Sequence, residues 1–343
     1  MTDAPARKPN RAGLFGPFVA VLFVAAGWSA YWVYTAHIVE GALQAQQAGL
    51  VAQGYKVSSE PYHVGGYPYR VSVVFKNLSV IAPSGRGVTF PVLRADATAY
   101  ALDKWVFAAP EGLTVSRGGD LDTLKVSGTS LRASASGLRN PVQKIAVEGD
   151  DISVVPSDPS RPFTFDTAKK FEAYLRPNTT SADNADWLIR LTGAHGQPGR
   201  FVGNFSPSSP LDIHVEGTLD KMSAFHGVDF ATGLKAWKSG GRILALKSEL
   251  KNTDLTVTAM SDALAVDANS YLAGHLDVEM SGKFKPLDVL AAAGLLSDEN
   301  MLLAKPLLDM TFATVGAQKL GLDFNDGKAY VGRLKVSDAP IVP

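Results

Sequence analysis

Hydrophobic and polar positions divide the chain into two regions with different periods. Near the N-terminus, residues 14–35 form a run of 22 residues without a charge, LFGPFVAVLFVAAGWSAYWVYT. At 1.5 Å per residue this run makes a helix of about 33 Å, and the hydrocarbon core of a bilayer is about 30 Å thick. The pattern predicts a transmembrane helix over 14–35 after a short tail over 1–13.

The charges on either side of this run set its predicted orientation. Arg7, Lys8 and Arg11 precede the run, whereas His37 and Glu40 follow it. Because cytoplasmic flanks carry an excess of lysine and arginine, we expect the N-terminus in the cytoplasm. Everything after the run is then exported.

Four aromatic side chains gather at the far end of the run: Trp28, Tyr31, Trp32 and Tyr34. Such rings favour the headgroup level, so these four are candidate membrane-interface residues. A cleaved signal peptide is the competing interpretation, but its apolar core has only about 7–15 residues and its cleavage site needs small side chains. The longer run, with Tyr31 and Trp32 near its end, favours an uncleaved signal-anchor.

The period changes beyond this run. Residues 36–54 are rich in alanine and glutamine and end in a glycine, which predicts a membrane-proximal helix. Short runs of β-formers follow, and in one of them Leu211, Ile213 and Val215 alternate with polar neighbours. A period of two is typical of half-buried antiparallel strands. The sequence therefore predicts a mainly antiparallel β body with a few packing helices.

The individual elements follow from turn residues and spacing. Strands are predicted at 70–75, 93–102, 124–126, 145–147, 152–155, 187–192, 211–216, 243–250, 255–259, 275–280, 320–324 and 329–336. Turns are predicted at Ser127-Gly128, Gly149-Asp150 and Asn325-Asp326-Gly327. Helices are predicted over Thr167–Leu175, Ala231–Trp237, Leu287–Leu296 and Asn300–Leu308. The loop-rich segment 177–210 divides the body into a first β-rich half, 55–176, and a second, 211–343, with a C-terminal hairpin.

Composition removes several classes of function. The 33 basic and 33 acidic residues balance and are spread along the chain, so the sequence offers no basic face for nucleic acid. The chain has no cysteine, which excludes disulfides, thiol catalysis and thiolate metal sites. We expect no nucleic-acid partner.

Two patterns of catalytic or metal-binding residues are incomplete. Ser248 and Lys251 have the Ser-x-x-Lys spacing of serine acylases, but they fall on a strand pattern rather than at a helix start. His214 and Glu216 share one strand face, which suits a metal only if further ligands come from elsewhere. His214 and Glu216 are better explained as solvent-exposed residues of a strand.

Aspartate pairs are also explained by structure. Asp150-Asp151 and Asp183 with Asp186 are typical of turns and caps rather than of an acid–base pair. Asp323 begins a segment that resembles a calcium loop, but the glycine comes one position early and the closing glutamate is missing. The sequence therefore predicts no enzyme, no metal and no cofactor.

The segment Gly65–Val71, GGYPYRV, places two glycines and a proline directly before a β-run. Glycine permits unusual backbone angles and Pro68 holds its neighbour extended, so a chain corner is the simpler interpretation. The alternative is that Tyr67, Tyr69 and Arg70 contact lipid headgroups. These three are candidate membrane-interface residues.

Landmarks along nearly the whole chain resemble one family. They are GWSAYW in the apolar run, GGYPYRV at 65–71, LKAWKSGGRILAL at 234–246, LAGHLDVEMSG at 272–282 and LGLDFNDGKAYVGRLKV at 320–336. Their order is similar to that in the bacterial domain-of-unknown-function family 2125 of anchored envelope proteins. The overall plan resembles, more distantly, the AsmA-like envelope proteins, which are implicated in lipid traffic.

The resemblance implies a bacterial inner-membrane protein crossing the bilayer once, with its bulk in the periplasm, and it transfers no catalytic residue. Our leading hypothesis is a non-enzymatic envelope factor that binds lipid or another apolar ligand. Alternatives are a scaffold or assembly protein for other envelope proteins and, less favoured, an anchored hydrolase. The expected partners are the lipid bilayer and, with it, a lipid ligand or other envelope proteins.

Overall fold

A computed structural model of the protein describes residues 12–118, 122–138, 142–226, 230–282, 289, 292 and 318–342. Three α-helices have bounds in this part of the chain: α1 (Ala12–Ala52), α2 (Phe201–Phe205) and α3 (Phe230–Lys238). A 3₁₀ turn covers Met222–Phe225.

The body is built from strands. Their bounds are β1 (Lys56–Ser58), β2 (Val64–Gly65), β3 (Arg70–Ile81), β4 (Arg86–Thr98), β5 (Ala101–Ala108), β6 (Leu113–Arg117), β7 (Thr123–Ser127), β8 (Arg132–Ser136), β9 (Lys144–Pro156), β10 (Thr167–Pro177), β11 (Ala185–Ala194), β12 (Leu211–Leu219), β13 (Arg242–Lys251), β14 (Leu255–Val266), β15 (Leu272–Gly282), β16 (Gln318–Asn325), β17 (Lys328–Val331) and β18 (Leu334–Asp338). Every strand pairing in the described chain is antiparallel. The predicted mainly antiparallel β class is confirmed.

The strands form one continuous ladder. From β9 to β18 each strand pairs with the next one along the chain. Between β4 and β9 the ladder divides into two routes, one through β5 and β8 and the other through β6 and β7. These six strands therefore close a ring, and β3 extends the ladder beyond it with β1 and β2 on its edge.

The predicted transmembrane and membrane-proximal helices are one helix. The continuous α1 contains the segment 14–35 and most of 36–54. The chain leaves it at Gly54, whose φ of +85° is a conformation that glycine adopts without strain. Phe15–Ala52 is long and apolar enough to cross a membrane.

The predicted helix over Thr167–Leu175 is wrong, because these residues belong to strand β10. Phe171 and Leu175 are four apart, which fits a helix, but with Ala173 they also alternate with polar residues. Strands β9 and β11 hydrogen-bond β10 on both sides, and this pairing overrides the weak helical spacing.

Two predicted strands and one predicted turn also differ from the structure. The segment 93–102 contains the hairpin between β4 and β5, and 329–336 is broken at Gly332, whose φ is +59°. The predicted turn at Gly149-Asp150 lies inside the single strand β9, where Asp151 has a φ of +49° and locally bends the strand. The Asn325-Asp326-Gly327 turn between β16 and β17 is confirmed.

Other predicted elements have mixed outcomes. The helix over Ala231–Trp237 is confirmed as α3. Segment 177–210 contains β11 and α2, and the ladder passes through β11 without a break. The division into two halves stays a prediction. The helices predicted over Leu287–Leu296 and Asn300–Leu308 lie, apart from residues 289 and 292, outside the described residues.

Buried apolar residues form two clusters. The larger one joins strands from β7 to β18 with Val202 and Phe205 of α2, and includes Met280 and Leu322 among its least exposed members. The smaller one joins Val39 of α1 to the sheet and consists of Val39, Val71, Val73 and Ala99. The second half of α1 is therefore packed on the body rather than free of it.

Candidate functional site

One face of the ladder carries an apolar row that crosses twelve strands. The register places these residues side by side from β3 to β16: Val73, Ala95, Phe107, Ala133, Val147, Ala173, Ile189, Val215, Ser248, Ala259, Val278 and Leu320. Ser248 is its single polar member, and the Ser248 hydroxyl donates to the Ala259 carbonyl at 3.5 Å. We call this set the central row.

A second apolar row runs beside the central row on the same face. Its members, from β3 to β12, are Val71, Ala97, Trp105, Ala135, Ile145, Leu175, Trp187 and Gly217. None of these residues carries a charge. The two rows together make an apolar strip two side chains wide.

The exposure of the strip changes along its length. Val73 at one end of the central row is 0% exposed and Val278 near the other is 9% exposed. In the middle, Val147 is 38% exposed and Ile189 is 41% exposed. Ile145 beside them, in the second row, is also exposed. The strip is therefore closed at its ends and half open between β9 and β11.

A cavity of about 380 Å³ lies within the six-strand ring, where the strip begins to open. Its lining includes Phe90, Leu93, Phe107, Leu131 and Val147, and the surface that it exposes is apolar. Ligand pockets in proteins commonly have about 300–1,000 Å³. The cavity and the open middle of the strip share Val147, so they form one apolar depression.

The opposite face of the same strands is charged. The register there aligns Arg94, Ala108, Arg132, Glu148, Glu172, Arg190, His214, Glu249, Thr258, Glu279 and Lys319, which we call the charged row. Ion pairs join neighbours in it, with N–O distances of 2.6 Å for Arg132–Glu148 and 3.2 Å for Arg190–Glu172. A second cleft, of about 610 Å³, is lined both by charged residues such as Lys144, Asp186 and Lys247 and by Ile145, Leu175 and Trp187 of the second row.

Glu148 and Glu172 are direct cross-strand neighbours, and a tyrosine joins them. The Tyr174 hydroxyl lies 2.8 Å from a Glu148 oxygen and 3.1 Å from a Glu172 oxygen. Lys170 donates to Glu172 and, with Tyr174 and Arg190, lowers the pKa of that carboxyl. Tyr174 and Arg132 lower the pKa of Glu148, and the bond to Glu148 with burial raises the pKa of Tyr174. Both carboxylates stay ionised and paired at neutral pH.

The GGYPYRV segment lies against the end of the apolar part of α1. Trp28 donates its ring N–H to the Pro68 carbonyl at 2.9 Å, and Trp32 donates to the Arg70 carbonyl at 2.7 Å. The Trp32 and Tyr67 rings meet edge to face with centroids 5.6 Å apart. The corner that glycine and proline predict is thus held by two tryptophans of α1.

The seven candidate interface residues divide into two groups. Four of them contact one another or the two turns: Trp28, Tyr31, Trp32 and Tyr67. Of these four, Tyr31 and Tyr67 are nevertheless exposed, as are Tyr34, Tyr69 and Arg70. Their role at a membrane stays a prediction.

Sequence reasoning missed Tyr100 at this place. It stands in the β4–β5 turn beside Ala99, whose carbonyl accepts a hydrogen bond from the Tyr31 hydroxyl at 3.2 Å. The sequence pattern over residues 93–102 predicts one strand, so it gives no sign of the turn between β4 and β5. The pair Thr98–Ala99 followed by Tyr100 carries no glycine, proline or asparagine to mark it.

The residues considered for catalysis or metal binding have local partners. His214 and Glu216 lie 3.3 Å apart on one strand face, as predicted. Asp183 accepts from the Ser223 backbone, and Asp186 accepts from Asn178 and Thr218. In the described ranges no group of three or more histidine, aspartate or glutamate side chains is placed to hold a metal ion.

Comparison with known proteins places the chain in a family. Searches of curated proteins and of solved structures gave no match. A bacterial family described as "Uncharacterized protein conserved in bacteria (DUF2125)" matches residues 32–340, which cover nearly all of the β body and the second half of α1. The chain belongs to this family.

Proposed function

We propose that the protein is anchored in the bacterial inner membrane by α1 and binds lipid acyl chains on its apolar strip. The N-terminus lies in the cytoplasm and the β body in the periplasm. This orientation is supported by the basic residues that precede the apolar run and by the absence of lysine and arginine from residues 36–55, which follow it. The protein acts as a binding factor rather than as an enzyme.

The single observation that carries this proposal is the half-open middle of the strip. A side chain that is 41% exposed, such as Ile189, gains less from burial than a core residue and could be polar at little cost. Instead, the strip stays apolar through Val147, Ile189 and Val215. A continuous apolar surface of this kind suits a ligand that is itself apolar.

The position of the strip favours lipid as the occupant. Its first residues, Val71 and Val73, contact α1 through Val39. That end is covered by α1, so the open middle of the strip lies on the same sheet face that packs against the proposed membrane helix, and the bilayer is a source of acyl chains. The more distant resemblance to AsmA-like envelope proteins points to the same class of ligand, as a fold-level analogy.

Native mass spectrometry of protein released in mild detergent tests this function. We expect the wild-type protein to carry bound lipid. A double variant, Val147→Asn with Ile189→Asn, should lose most of it. The matched control, Val106→Asn with Met260→Asn, changes side chains of similar exposure (43% and 49%) on the opposite face and should keep it.

Equal occupancy in both double variants, or no lipid on the wild type, would contradict the proposal and favour the scaffold hypothesis. Circular dichroism of each variant would show that its strands remain folded. Because the chain has no cysteine, a cysteine at the exposed Val155 also reports location: an impermeant maleimide should label it in intact spheroplasts.

A further inference from the structure

The free part of α1 is short for a membrane span. Every residue from Phe15 to Gly27 is exposed, and among the described residues the first hydrogen bond from α1 to the body is made by Trp28. From Ala12 to Trp28 the helix rises by about 24 Å at 1.5 Å per residue. A hydrocarbon core of about 30 Å needs about 20 residues, which would end near Trp32. The body therefore meets the helix about one turn before the helix leaves the hydrocarbon.

We propose that the β2–β3 corner and the β4–β5 turn are immersed in the lipid headgroup layer on the body's side of the membrane. The partner is the bilayer surface itself, and the immersed residues include Tyr67, Tyr69 and Tyr100. This inference rests on the anchoring by α1 that we proposed above, but it does not depend on the apolar strip.

The distribution of tyrosine supports this immersion. The chain has ten tyrosines, and all of them lie within the described residues. The five that are exposed are Tyr31, Tyr34, Tyr67, Tyr69 and Tyr100. All five lie on α1 near Trp28 or in the two turns that contact it, and we call them the tyrosine collar. The other five tyrosines are only partly exposed in the body.

A collar of this composition has the chemistry of a membrane interface. Tyrosine has an apolar ring and a polar hydroxyl, so it is enriched where hydrocarbon meets headgroups. The exposed Arg70 stands beside Tyr69, and its guanidinium can bind lipid phosphate. Tyr69 and Tyr100 are each 69% exposed in the protein alone. If this surface faced only water, most of each aromatic ring would stay hydrated.

The backbone of the two turns is also prepared for a poorly hydrated environment. The carbonyls of Pro68, Arg70 and Ala99 each accept a hydrogen bond from a side chain of α1. Ala99 and Tyr69 are joined to each other by a backbone bond of 3.0 Å. Unsatisfied carbonyls cost several kcal/mol in lipid, so these bonds remove the main penalty for immersion.

Spin labels at single cysteines test the depth of the collar. The chain has no cysteine of its own, and no side-chain hydrogen bond is formed by Tyr69 or Tyr100 in the described structure, so Tyr69→Cys and Tyr100→Cys disturb little. Val21→Cys, on the exposed apolar part of α1, is the deep reference. Val155→Cys, 56% exposed on the body, is the aqueous reference. The labelled full-length protein is placed in nanodiscs of mixed zwitterionic and anionic lipid.

Power saturation of the spin signal compares collision with oxygen, which concentrates in lipid, and with a water-soluble nickel chelate. We expect the oxygen-to-nickel ratio at Tyr69→Cys and Tyr100→Cys to exceed that of Val155→Cys several-fold and to lie below that of Val21→Cys. Ratios equal to Val155→Cys, with Val21→Cys deep, would overturn the immersion and leave the anchor intact. An aqueous ratio at Val21→Cys would overturn the anchoring itself.

Discussion

The two faces of the ladder differ although they belong to the same strands. On one face, the central row is apolar at eleven of its twelve positions, from Val73 to Leu320, with Ser248 as the exception. On the other, the charged row satisfies its members by cross-strand pairs such as Arg132–Glu148. Several charges on that face are therefore paired with a neighbour on the next strand. The apolar face, half open between β9 and β11, leaves surface that folding alone does not cover.

The largest expected effect is on stability, and it should differ between the closed end and the open middle of the central row. Val278→Asp buries a charge without a partner at a site that is 9% exposed, and we expect the free energy of unfolding to fall by about 3–5 kcal/mol. Ile189→Asp, at a site that is 41% exposed, should cost about 1–2 kcal/mol because its carboxylate reaches water. Urea denaturation of both variants measures the difference. Equal losses would mean that the middle of the row is as closed as its end.

A smaller effect tests the pairing of the charged face. Glu172→Gln removes the charge that Lys170 and Arg190 bind at a site that is 7% exposed. We expect a loss of about 1.5–3 kcal/mol at neutral pH. Glu249→Gln, in the same row but without an ion pair in the described structure, is the matched control and should cost under about 0.5 kcal/mol.

The same variant predicts a change in pH dependence. The pKa of Glu172 is lower in the folded protein than its ordinary value of 4.5. Its contribution is therefore present above pH 4.5 and is lost as the pH falls through the lowered pKa. Wild-type stability should drop more steeply than that of Glu172→Gln below pH 4.5. Parallel curves would show that the carboxylate is not stabilised by its pairs.

The smallest expected effect concerns the polar member of the central row. Ser248→Val completes the apolar row and gives up only a long hydrogen bond, at 3.5 Å, to the Ala259 carbonyl. Thermal unfolding should change by less than about 1 kcal/mol, while lipid occupancy should stay equal or rise. A loss of occupancy would mean that lipid does not lie along this row.

The sequence was sufficient for the long apolar helix and the strand class, because both depend on local periods. The apolar run over 14–35 and the alternation of Leu211, Ile213 and Val215 are visible within a few residues. The apolar strip was not predictable, since the contact of Val147 with Ile189 through Ala173 depends on register between strands distant in sequence. The spacing of Phe171 and Leu175 fits a helix. These residues form strand β10 because β9 and β11 hydrogen-bond to it on both sides.

The corner at GGYPYRV is a second case in which the sequence does not indicate a contact between distant residues. Glycine and proline predicted a bend, and the tyrosines suggested an interface, but neither indicated which element the corner would contact. Its hydrogen bonds to Trp28 and Trp32 join residues about forty positions apart. In the immersion that we propose, this contact determines how deep the body lies in the headgroup layer.

Photo-crosslinking from inside the bilayer tests the central claim most directly. A phospholipid with a diazirine in its acyl chain is incorporated with the full-length protein, irradiated, and the labelled peptides are mapped. We predict labels on Val147, Ile189 and Val215 in addition to α1, absent from Val106 and Met260 on the charged face and lost in the Val147→Asn, Ile189→Asn variant. Labels confined to α1 and the tyrosine collar would contradict lipid binding on the apolar strip.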